Sequence, residues 1–200
     1  RVHEGLEAFI NGESTALMEA VEGKRPFPKA QPPHSCNKGL WGKPTVLNNA
    51  ETWATVPKII KNGADWYASM GNENAQGCKV WAISGNIKYN GLMELDMKTT
   101  FREAIDDYCG GIQKKKALKV IHVGGVTGGF LPPEKADTQT DYESLLDAGV
   151  LMGQASFAAY DDSACVIDLA LFSVGFNEGE TCGKCTPCRI GLTLIKNQLV

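Results

Sequence analysis

Apolar residues recur at helical spacing in several segments of this chain, and such recurrence predicts amphipathic helices. Most of these segments begin beside a capping residue or end at a glycine, as helices commonly do. In one of them Thr100 and Glu103 form a capping box, and the helix is expected to close at Gly110-Gly111. The predicted helices cover Ser14–Val21 and residues 49–63, 100–110, 163–176 and 190–200. Asp162 is the expected cap of the helix 163–176. The expected apolar face of the helix 100–110 comprises Phe101, Ala104, Ile105 and Tyr108.

Alternating and short apolar runs predict strands in the middle of the chain. Asn90-Gly91 separates two such runs and is a strong signal for a hairpin turn. A hairpin, a helix and a further strand within so few residues indicate a small α+β unit with the helix across one sheet face. The predicted strands are residues 78–84, 87–89, 92–95, 118–123 and 156–160.

A glycine-rich segment, residues 124–129, follows the predicted strand 118–123. Such a loop can cradle a phosphate, but this one lacks the lysine of a P-loop. Pro132 and Pro133 stand where a helix would have to begin. A turn is therefore the favoured interpretation.

Three cysteines near the end of the chain carry the clearest chemical signal. Cys182, Cys185 and Cys188 have the spacing C-x2-C-x2-C, which brings thiolates to one point and is typical of iron–sulfur ligands. Gly183 permits a tight turn between them, and Pro187 suits the entry into a following helix.

Other interpretations of this motif stay open. A structural zinc site would use three cysteines and a histidine, but His3, His34 and His122 lie far away in sequence. A disulfide framework is disfavoured, because seven cysteines is an odd number and 200 residues suffice for a core. Cys165 could supply a fourth ligand, although its expected place on an apolar helical face favours core packing.

Composition narrows the classes of function. The net charge of −3 and the pI of about 5.7 give no basic footprint for nucleic acid. The longest apolar run, residues 166–176, contains Asp168 and is too short to cross a bilayer. No signal peptide is visible. The cysteines show no pattern of disulfide pairs, and this predicts a protein of the reducing cytoplasm. A start without Met and a last helix without a C-cap predict a fragment of a longer polypeptide.

A further set of motifs runs through the chain in order. It comprises Gly12-Glu13 with Thr15-Ala16-Leu17, then Val21-Glu22-Gly23-Lys24-Arg25, Gly39-Leu40-Trp41-Gly42-Lys43-Pro44-Thr45, Asn48-Asn49 with Glu51-Thr52, and the segment from Cys182 to Arg189. Together these motifs resemble the flavin-binding, NADH-oxidising subunit (51 kDa type) of NADH:quinone oxidoreductase, respiratory complex I. Related subunits occur in NAD-dependent hydrogenases, formate dehydrogenases and electron-bifurcating enzymes. The resemblance covers essentially the whole chain.

This resemblance implies an α+β multidomain fold with three parts. Residues 1–76 would be the end of a Rossmann-like α/β domain that binds FMN. Residues 77–160 would be a β-grasp domain of the soluble-ligand-binding kind. Residues 161–200 would begin a helical bundle that binds a [4Fe–4S] cluster.

The resemblance also implies the site residues. Cys182, Cys185 and Cys188 would be cluster ligands, with the family's fourth cysteine after Val200 and its flavin-phosphate loop before Arg1. No catalytic side chain is implied. Taken alone, Asn48 and Asn49 need be no more than helix-capping residues. The implied flavin-site residues are Gly12, Glu13, Ser14, Asn48, Asn49 and Thr52.

The implied cofactors are FMN and a [4Fe–4S] cluster, with NAD(H) as substrate. The implied partners are other redox subunits, among them a thioredoxin-like [2Fe–2S] subunit and an iron–sulfur carrier subunit. Neither nucleic acid nor direct membrane insertion is expected. The expected location is the cytoplasm, or the cytoplasmic or matrix face of a membrane complex.

Two residues depart from the family's pattern. Ser14 stands where the family has a second glutamate, and Phe9 stands where it has an aromatic hydroxyl. Flavin binding is expected to survive these changes, while the preference for NADH is left open. Three functions follow: a nucleotide-oxidising redox subunit, an electron-transfer module without nucleotide binding, and a ligand-binding or structural protein with a zinc staple.

Overall fold

A computed structural model describes residues 2–5 and 7–200. The chain divides into two compact units. One unit contains the described residues up to Val56 together with Val174–Val200, and the other contains Pro57–Ser173. Helices and a mixed sheet occur together, so the α+β class is confirmed, whereas the boundaries of the three implied domains stay a prediction.

The regular elements have the following bounds. The helices are α1 (Ser14–Val21), α2 (Ser35–Lys38), α3 (Ala50–Asn62), α4 (Ala64–Ala68), α5 (Phe101–Glu103), α6 (Tyr142–Ala148), α7 (Val166–Glu180) and α8 (Thr186–Leu199). The strands are β1 (Cys78–Gly85), β2 (Gly91–Asp96), β3 (Leu118–Val123), β4 (Gly129–Leu131) and β5 (Ser156–Asp161). Short 3-10 helices cover Phe9–Gly12, Leu40–Gly42, Gln113–Lys115, Gly125–Thr127 and Pro133–Lys135.

The sheet of the unit Pro57–Ser173 has the strand order β2-β1-β5-β3-β4. β1 and β5 run parallel, and the other neighbouring pairs are antiparallel. Alternate residues of β1 face the core, because successive side chains of a strand point to opposite faces. Trp81 and Ile83 are buried, whereas Val80 and Ala82 are exposed. The alternation predicted for this strand is confirmed.

Three aromatic side chains form the centre of this unit's core. The ring centroids of Trp81, Phe101 and Phe157 lie between 5.2 and 6.0 Å apart, and two of the three pairs meet edge to face. Phe101 belongs to α5, whereas Trp81 and Phe157 belong to neighbouring strands. The predicted packing of a helix against one sheet face is therefore confirmed.

The predicted hairpin around Asn90-Gly91 has a different first strand. β1 pairs with β2 so that Ile83 opposes Gly91, and residues 86–90 form the connection. Ile87 is fully buried and makes an isolated bridge with Ile112. The predicted strand 87–89 is wrong, because Ile87 turns into the core instead of pairing with β2, while Lys88 and Tyr89 are exposed.

The helix capped by Thr100 changes type after its first turn. The capping box is present: Thr100 Oγ1 accepts a hydrogen bond from Glu103 N at 3.2 Å, and Glu103 Oε2 accepts one from Thr100 N at 2.9 Å. Ala104–Tyr108 then form a π-helix, whose wider turn moves the buried position from Tyr108 to Cys109. The predicted apolar face is therefore wrong at Tyr108.

α7 begins at Val166, later than the predicted start at residue 163. The carboxylate of Asp161 accepts a hydrogen bond from Ser163 N at 2.9 Å, and this local turn delays the helix. Asp162 is therefore not the cap that the sequence predicts. Cys165 precedes the helix and is exposed, so the predicted core packing of this thiol is wrong.

The glycine-rich segment 124–129 forms the turn between β3 and β4, as the sequence favours. Gly124 has a φ of +79°, which a residue with a Cβ rarely adopts. A Cβ on Gly128 would lie 1.8 Å from the carbonyl oxygen of Val123. The glycines are thus explained by the tightness of the turn.

The second half of α7 and the body of α8 lie in the same unit and are joined by side chains. Glu178 accepts hydrogen bonds from Lys196 Nζ at 2.6 Å and from Thr193 Oγ1 at 2.7 Å. The hydrogen bond from Lys196, followed by the one from Thr193, holds the pKa of Glu178 below its ordinary value. None of the helices in the described residues has the length and apolar composition that a membrane span requires.

Asp141 is a buried acid at the start of α6. Its carboxylate accepts hydrogen bonds from Ser144 N at 2.9 Å, from Ser144 Oγ at 2.6 Å and from Asn72 Nδ2 at 3.0 Å. Burial acts to raise the pKa of Asp141, but the bonds from Ser144 and Asn72 lower it overall. The ionised carboxylate therefore joins α6 to the chain that precedes β1.

We expect Asp141→Ala to lower the free energy of unfolding by about 2 kcal/mol at neutral pH, because a helix cap is lost and buried donors are left unpaired. The folded pKa lies below the unfolded one, so this stabilisation is complete above the unfolded value and fades as pH falls through the folded value. Urea unfolding between about pH 7 and about pH 3 measures it.

Asp141→Asn is the matched control for charge, since an amide oxygen can still cap the helix. It should retain most of the stability at neutral pH and show a flatter loss of stability in acid than the parent protein. Equal pH slopes in the two proteins would contradict the assigned pKa direction of Asp141.

Candidate functional site

The three motif cysteines lie at the start of α8. Cys182 is in the loop before the helix, Cys185 is at its N-cap, and Cys188 is in its first turn. The helix starts at Thr186, earlier than predicted, because Pro187 fits the first turn, where no N–H is needed. The predicted role of Pro187 at a helix entry is confirmed.

The loop that carries the cysteines is held by contacts from its own helix. Gly183 has a φ of +71°, which permits the tight turn that the sequence predicts. Arg189 Nη1 donates hydrogen bonds to the carbonyl oxygens of Gly183 at 2.8 Å and Lys184 at 3.3 Å. Two successive carbonyls therefore point to one guanidinium.

The chemistry of this donor set fits an iron–sulfur cluster. All three thiols are free, with Cys185 and Cys188 exposed and Cys182 half-buried. Cys185 and Cys188 lie at the N-terminus of α8, where free backbone N–H groups can donate to the sulfurs of a bound anionic cluster. Among the described residues, no three histidine, cysteine, aspartate or glutamate side chains are placed to hold a metal ion together. The assignment of these cysteines as ligands stays a prediction.

Glu13, an implied flavin residue, caps α1. Its carboxylate accepts hydrogen bonds from Thr15 Oγ1 at 2.5 Å and from Ala16 N at 2.8 Å. Burial acts to raise the pKa of Glu13, but these hydrogen bonds and the attraction of Lys184 lower it below its ordinary value. Glu13 is therefore a fixed negative charge at neutral pH.

The neighbours of Glu13 form an open turn. Gly12 ends a 3-10 helix, and a Cβ at this position would meet nothing within 4 Å. Ser14 is the first residue of α1 and is half-buried. A planar ligand could therefore approach the backbone at Gly12, while Ser14 lies directly beside the charge of Glu13.

The other implied flavin residues lie at the start of α3. Asn48, Asn49 and Thr52 are all exposed. The carbonyl oxygen of Asn49 accepts the hydrogen bond from Trp53 N at 3.1 Å, so Asn49 holds the N-cap position that the sequence predicts. The role of these three residues in binding flavin stays a prediction.

Residues 27–29 join two parts of the candidate site, although the sequence patterns do not reveal this. One part is the turn at residues 12–14, the Glu13 turn, and the other is the segment 182–188, the cysteine loop. Lys184 Nζ donates a hydrogen bond to the carbonyl oxygen of Pro28 at 2.6 Å and lies 5.4 Å from the ring centroid of Phe27. Lys29 N donates to Thr15 Oγ1 at 2.8 Å. Neither periodicity nor spacing in the sequence marks these long-range contacts.

Phe9, one of the two departures from the family's pattern, is turned toward α7. Its ring meets that of Phe176 edge to face at 5.3 Å, and its N–H donates to Glu180 Oε2 at 3.1 Å. The aromatic residue at this position therefore makes a structural contact through its ring.

A pocket of about 640 Å³ lies beside α1. Thr15 forms part of its wall, but none of the implied flavin residues is among those that line it in the described part of the chain. Three lysines, Lys24, Lys29 and Lys38, line it. Lys24 and Lys29 pair with Glu19, and Lys24 also pairs with Glu22 at 2.5 Å. Three lysines and two glutamates therefore line the pocket, and the ion pairs engage two of the lysines.

The chain is similar to a protein-family profile and to parts of longer proteins. The profile of the NADH-ubiquinone oxidoreductase-F iron-sulfur binding region matches residues 168–200, which include the three cysteines. The HndC subunit of the NADP-reducing hydrogenase of Solidesulfovibrio fructosivorans is 44% identical over 187 residues, which are 94% of this chain and 38% of that protein. The F 2 subunit of the NADH-quinone oxidoreductase of Rhizobium meliloti is 39% identical over 96% of this chain and 45% of its own length.

The fold of the chain is also similar to that of a solved structure of a redox enzyme. A chain of an NAD+-reducing [NiFe]-hydrogenase in the H2-reduced state superimposes with a TM-score of 0.86 and 29% identity. The match covers 98% of this chain and 33% of that one. The chain thus spans less than half the length of the relatives that it matches. By motif, sequence and fold, the chain is homologous to part of the F subunit of NADH-quinone oxidoreductase and of the HndC subunit of NADP-reducing hydrogenase.

Proposed function

We propose that this chain is part of an electron-transfer subunit that carries electrons between a nicotinamide nucleotide, FMN and a [4Fe–4S] cluster within a larger redox complex. The observation that carries the proposal is the cysteine loop. It lies inside the region matched by the iron-sulfur binding profile and presents three free thiols at the start of α8.

The residues of this chain would form two sites, one for the cluster and one for the flavin. Cys182, Cys185 and Cys188 would hold the cluster, and the Arg189 contacts would keep their loop in place. Glu13 would set the charge beside the flavin. When bound, FMN exchanges electron pairs with a nicotinamide and single electrons with an iron–sulfur centre, while the protein supplies orientation and electrostatics.

The identity of the nucleotide is a separate matter. One relative is named for NADP reduction and another for NADH oxidation with quinone, so the family accommodates both. A module that lacks nucleotide binding and receives electrons from a partner subunit is the second candidate. Phe9 favours it, because its ring is committed to Phe176 and offers no hydroxyl to a nucleotide.

The proposed partners are other redox subunits, among them a thioredoxin-like [2Fe–2S] subunit and an iron–sulfur carrier subunit. Support comes from the names of the relatives, each of which is one subunit of a larger enzyme. The proposed location is the cytoplasm or the cytoplasmic or matrix face of a membrane complex.

The test uses the full-length protein, purified without oxygen. We expect about four iron atoms and four sulfides per chain, one FMN, and visible absorption that NADH or NADPH bleaches. Iron and flavin that neither nucleotide reduces would favour the module without nucleotide binding. Stoichiometric zinc without sulfide would contradict the proposal and favour the zinc staple.

We expect Ser14→Glu to lower the midpoint potential of the flavin, because a second carboxylate beside Glu13 disfavours the more negative reduced flavin. At an effective dielectric constant of about 20 and a separation of about 6 Å, the interaction is at most about 3 kcal/mol. That bound corresponds to a fall of roughly 60 mV for a two-electron couple, and solvent around the half-buried Ser14 reduces it. A redox titration of the full-length protein measures the shift.

Ser14→Gln is the control for size, since it has a similar shape without the charge. The fall should be absent in Ser14→Gln and present in Ser14→Glu. Equal shifts in both variants would show that bulk rather than charge is responsible, and no shift in either would mean that Ser14 does not face the flavin.

A further inference from the structure

The cysteine loop is tied to a separate segment, residues 27–29, which we name the 27–29 bridge. Lys184 lies between Cys182 and Cys185, and its ammonium donates to the carbonyl oxygen of Pro28 at 2.6 Å. The same ammonium lies 5.4 Å from the ring centroid of Phe27, within the range of a cation–π contact. One side chain of the loop thus makes two contacts with the bridge.

The other end of the 27–29 bridge is tied to the Glu13 turn. Lys29 N donates to Thr15 Oγ1 at 2.8 Å, and Thr15 Oγ1 donates in turn to Glu13 Oε2 at 2.5 Å. The single proton of the hydroxyl goes to the carboxylate, while its lone pair takes the N–H of Lys29. A continuous chain of hydrogen bonds therefore runs from the bridge to Glu13.

The bridge itself is stiff. Pro26 and Pro28 fix their own φ angles, and Phe27, which precedes a proline, is held to extended backbone. The guanidinium of Arg25 lies 5.5 Å from the Phe27 ring, so two cations contact one aromatic side chain. A stiff segment tied at both ends transmits the position of one end to the other.

We propose that Lys184 is a positioning residue: through the 27–29 bridge it holds the cysteine loop at a set place relative to Glu13, and so couples the charge of Glu13 to the electron affinity of the cluster. This inference rests on the proposed function, because it needs a cluster on the cysteine loop. It goes beyond that function by naming the connection between the two cofactor sites. The lowered pKa of Glu13, to which Lys184 contributes, agrees with the short path between the two charges.

The test compares Lys184→Met, which keeps the length of the side chain without its charge, with Lys184→Arg, which keeps the charge and the ring contact. Lys38→Met is the matched control, since Lys38 is an exposed lysine of the same unit. Two quantities are measured on full-length protein: the cluster midpoint potential by an EPR-monitored titration, and the hydrogen-exchange rate of the Lys29 amide in cluster-free protein.

We expect Lys184→Met to lower the cluster potential and to speed exchange of the Lys29 amide about tenfold, the change expected when one charge-assisted hydrogen bond is lost. Lys184→Arg should restore both values, and Lys38→Met should change neither. Glu13→Gln should raise the cluster potential in the parent protein by more than it does in Lys184→Met. A residue that only stabilised the loop would alter iron content without this dependence on Glu13.

Strictly additive shifts from Glu13→Gln and Lys184→Met, or an unchanged potential in Lys184→Met, would overturn the inference while leaving the proposed function intact. Absence of iron from the parent protein would instead overturn the proposed function, and the inference with it. If Lys184→Met fails to fold, Phe27→Leu replaces it, because it removes only the ring contact and should shift both quantities in the same direction by less.

Discussion

Replacing Cys185 with serine is expected to remove most of the iron from the full-length protein while leaving FMN bound. Cys185 is the central ligand of the proposed set and stands at the N-cap of α8, between Cys182 in the loop and Cys188 in the first turn. Serine keeps the size of the side chain but replaces a soft thiolate with a hard hydroxyl, which iron–sulfur clusters rarely accept. Iron, sulfide and flavin analysis of anaerobically purified protein measures the effect.

The matched controls are the exposed cysteines outside the motif. Cys36 is exposed in the same unit as the cysteine loop, so Cys36→Ser should leave about four iron atoms per chain. Cys165→Ser should also leave the iron content unchanged, because Cys165 lies outside the motif of Cys182, Cys185 and Cys188. Loss of iron in Cys165→Ser would identify Cys165 as the fourth ligand, and full retention of iron in Cys185→Ser would remove the cysteine motif from the cluster site.

Signals that act within a few residues predicted the structure best. The bounds of α1, the alternation of β1 and the capping box of Thr100 all depend on neighbours in sequence, and all three are present. Such patterns report which local conformation satisfies the backbone and buries the apolar face. They therefore locate elements without knowledge of their partners.

One error occurred where a distant residue overrides a local pattern, and two where the backbone takes a local form other than the expected α-helix. Ile87 has the appearance of a strand residue, but its bridge to Ile112 draws it into the core. Tyr108 fits a helical face until the π-helix shifts the register by one residue. Asp161, at the end of β5, and not Asp162 accepts the hydrogen bond from Ser163 N. Only the first of these outcomes depends on a residue that is distant in sequence.

The candidate site likewise has one part that local sequence predicts and another that it does not. The spacing of Cys182, Cys185 and Cys188 is local and points directly to a chemistry. The tie between Lys184 and Pro28, and that between Lys29 and Thr15, join residues that are distant in sequence, so only the fold reveals them. The family resemblance supplies the flavin residues, which neither spacing nor periodicity would have selected.

The core of the unit Pro57–Ser173 is expected to depend strongly on Trp81. Its side chain is fully buried and contacts Phe101 at 5.8 Å and Phe157 at 6.0 Å between ring centroids. Trp81→Ala removes most of this contact and leaves a cavity, which costs about 3–5 kcal/mol in well-packed cores. Urea unfolding followed by circular dichroism measures the loss without relying on the fluorescence of the residue that is removed.

Trp81→Phe separates the contribution of the ring from that of the indole N–H. Among the described residues, Trp81 Nε1 has no hydrogen-bond partner, so this buried donor carries an uncompensated desolvation cost. Phenylalanine removes the donor together with some ring volume, and the two effects oppose each other. We expect Trp81→Phe to cost less than about 1.5 kcal/mol, well below the loss for alanine.

Trp53→Ala is the control for loss of an aromatic residue as such, because Trp53 lies on α3 with 54% of its surface exposed. It should change the free energy of unfolding by no more than about 0.5 kcal/mol. A loss in Trp81→Phe as large as that in Trp81→Ala would mean that the indole N–H has a partner and contributes to stability. The aromatic core would then owe its strength to that hydrogen bond rather than to the packing of three rings.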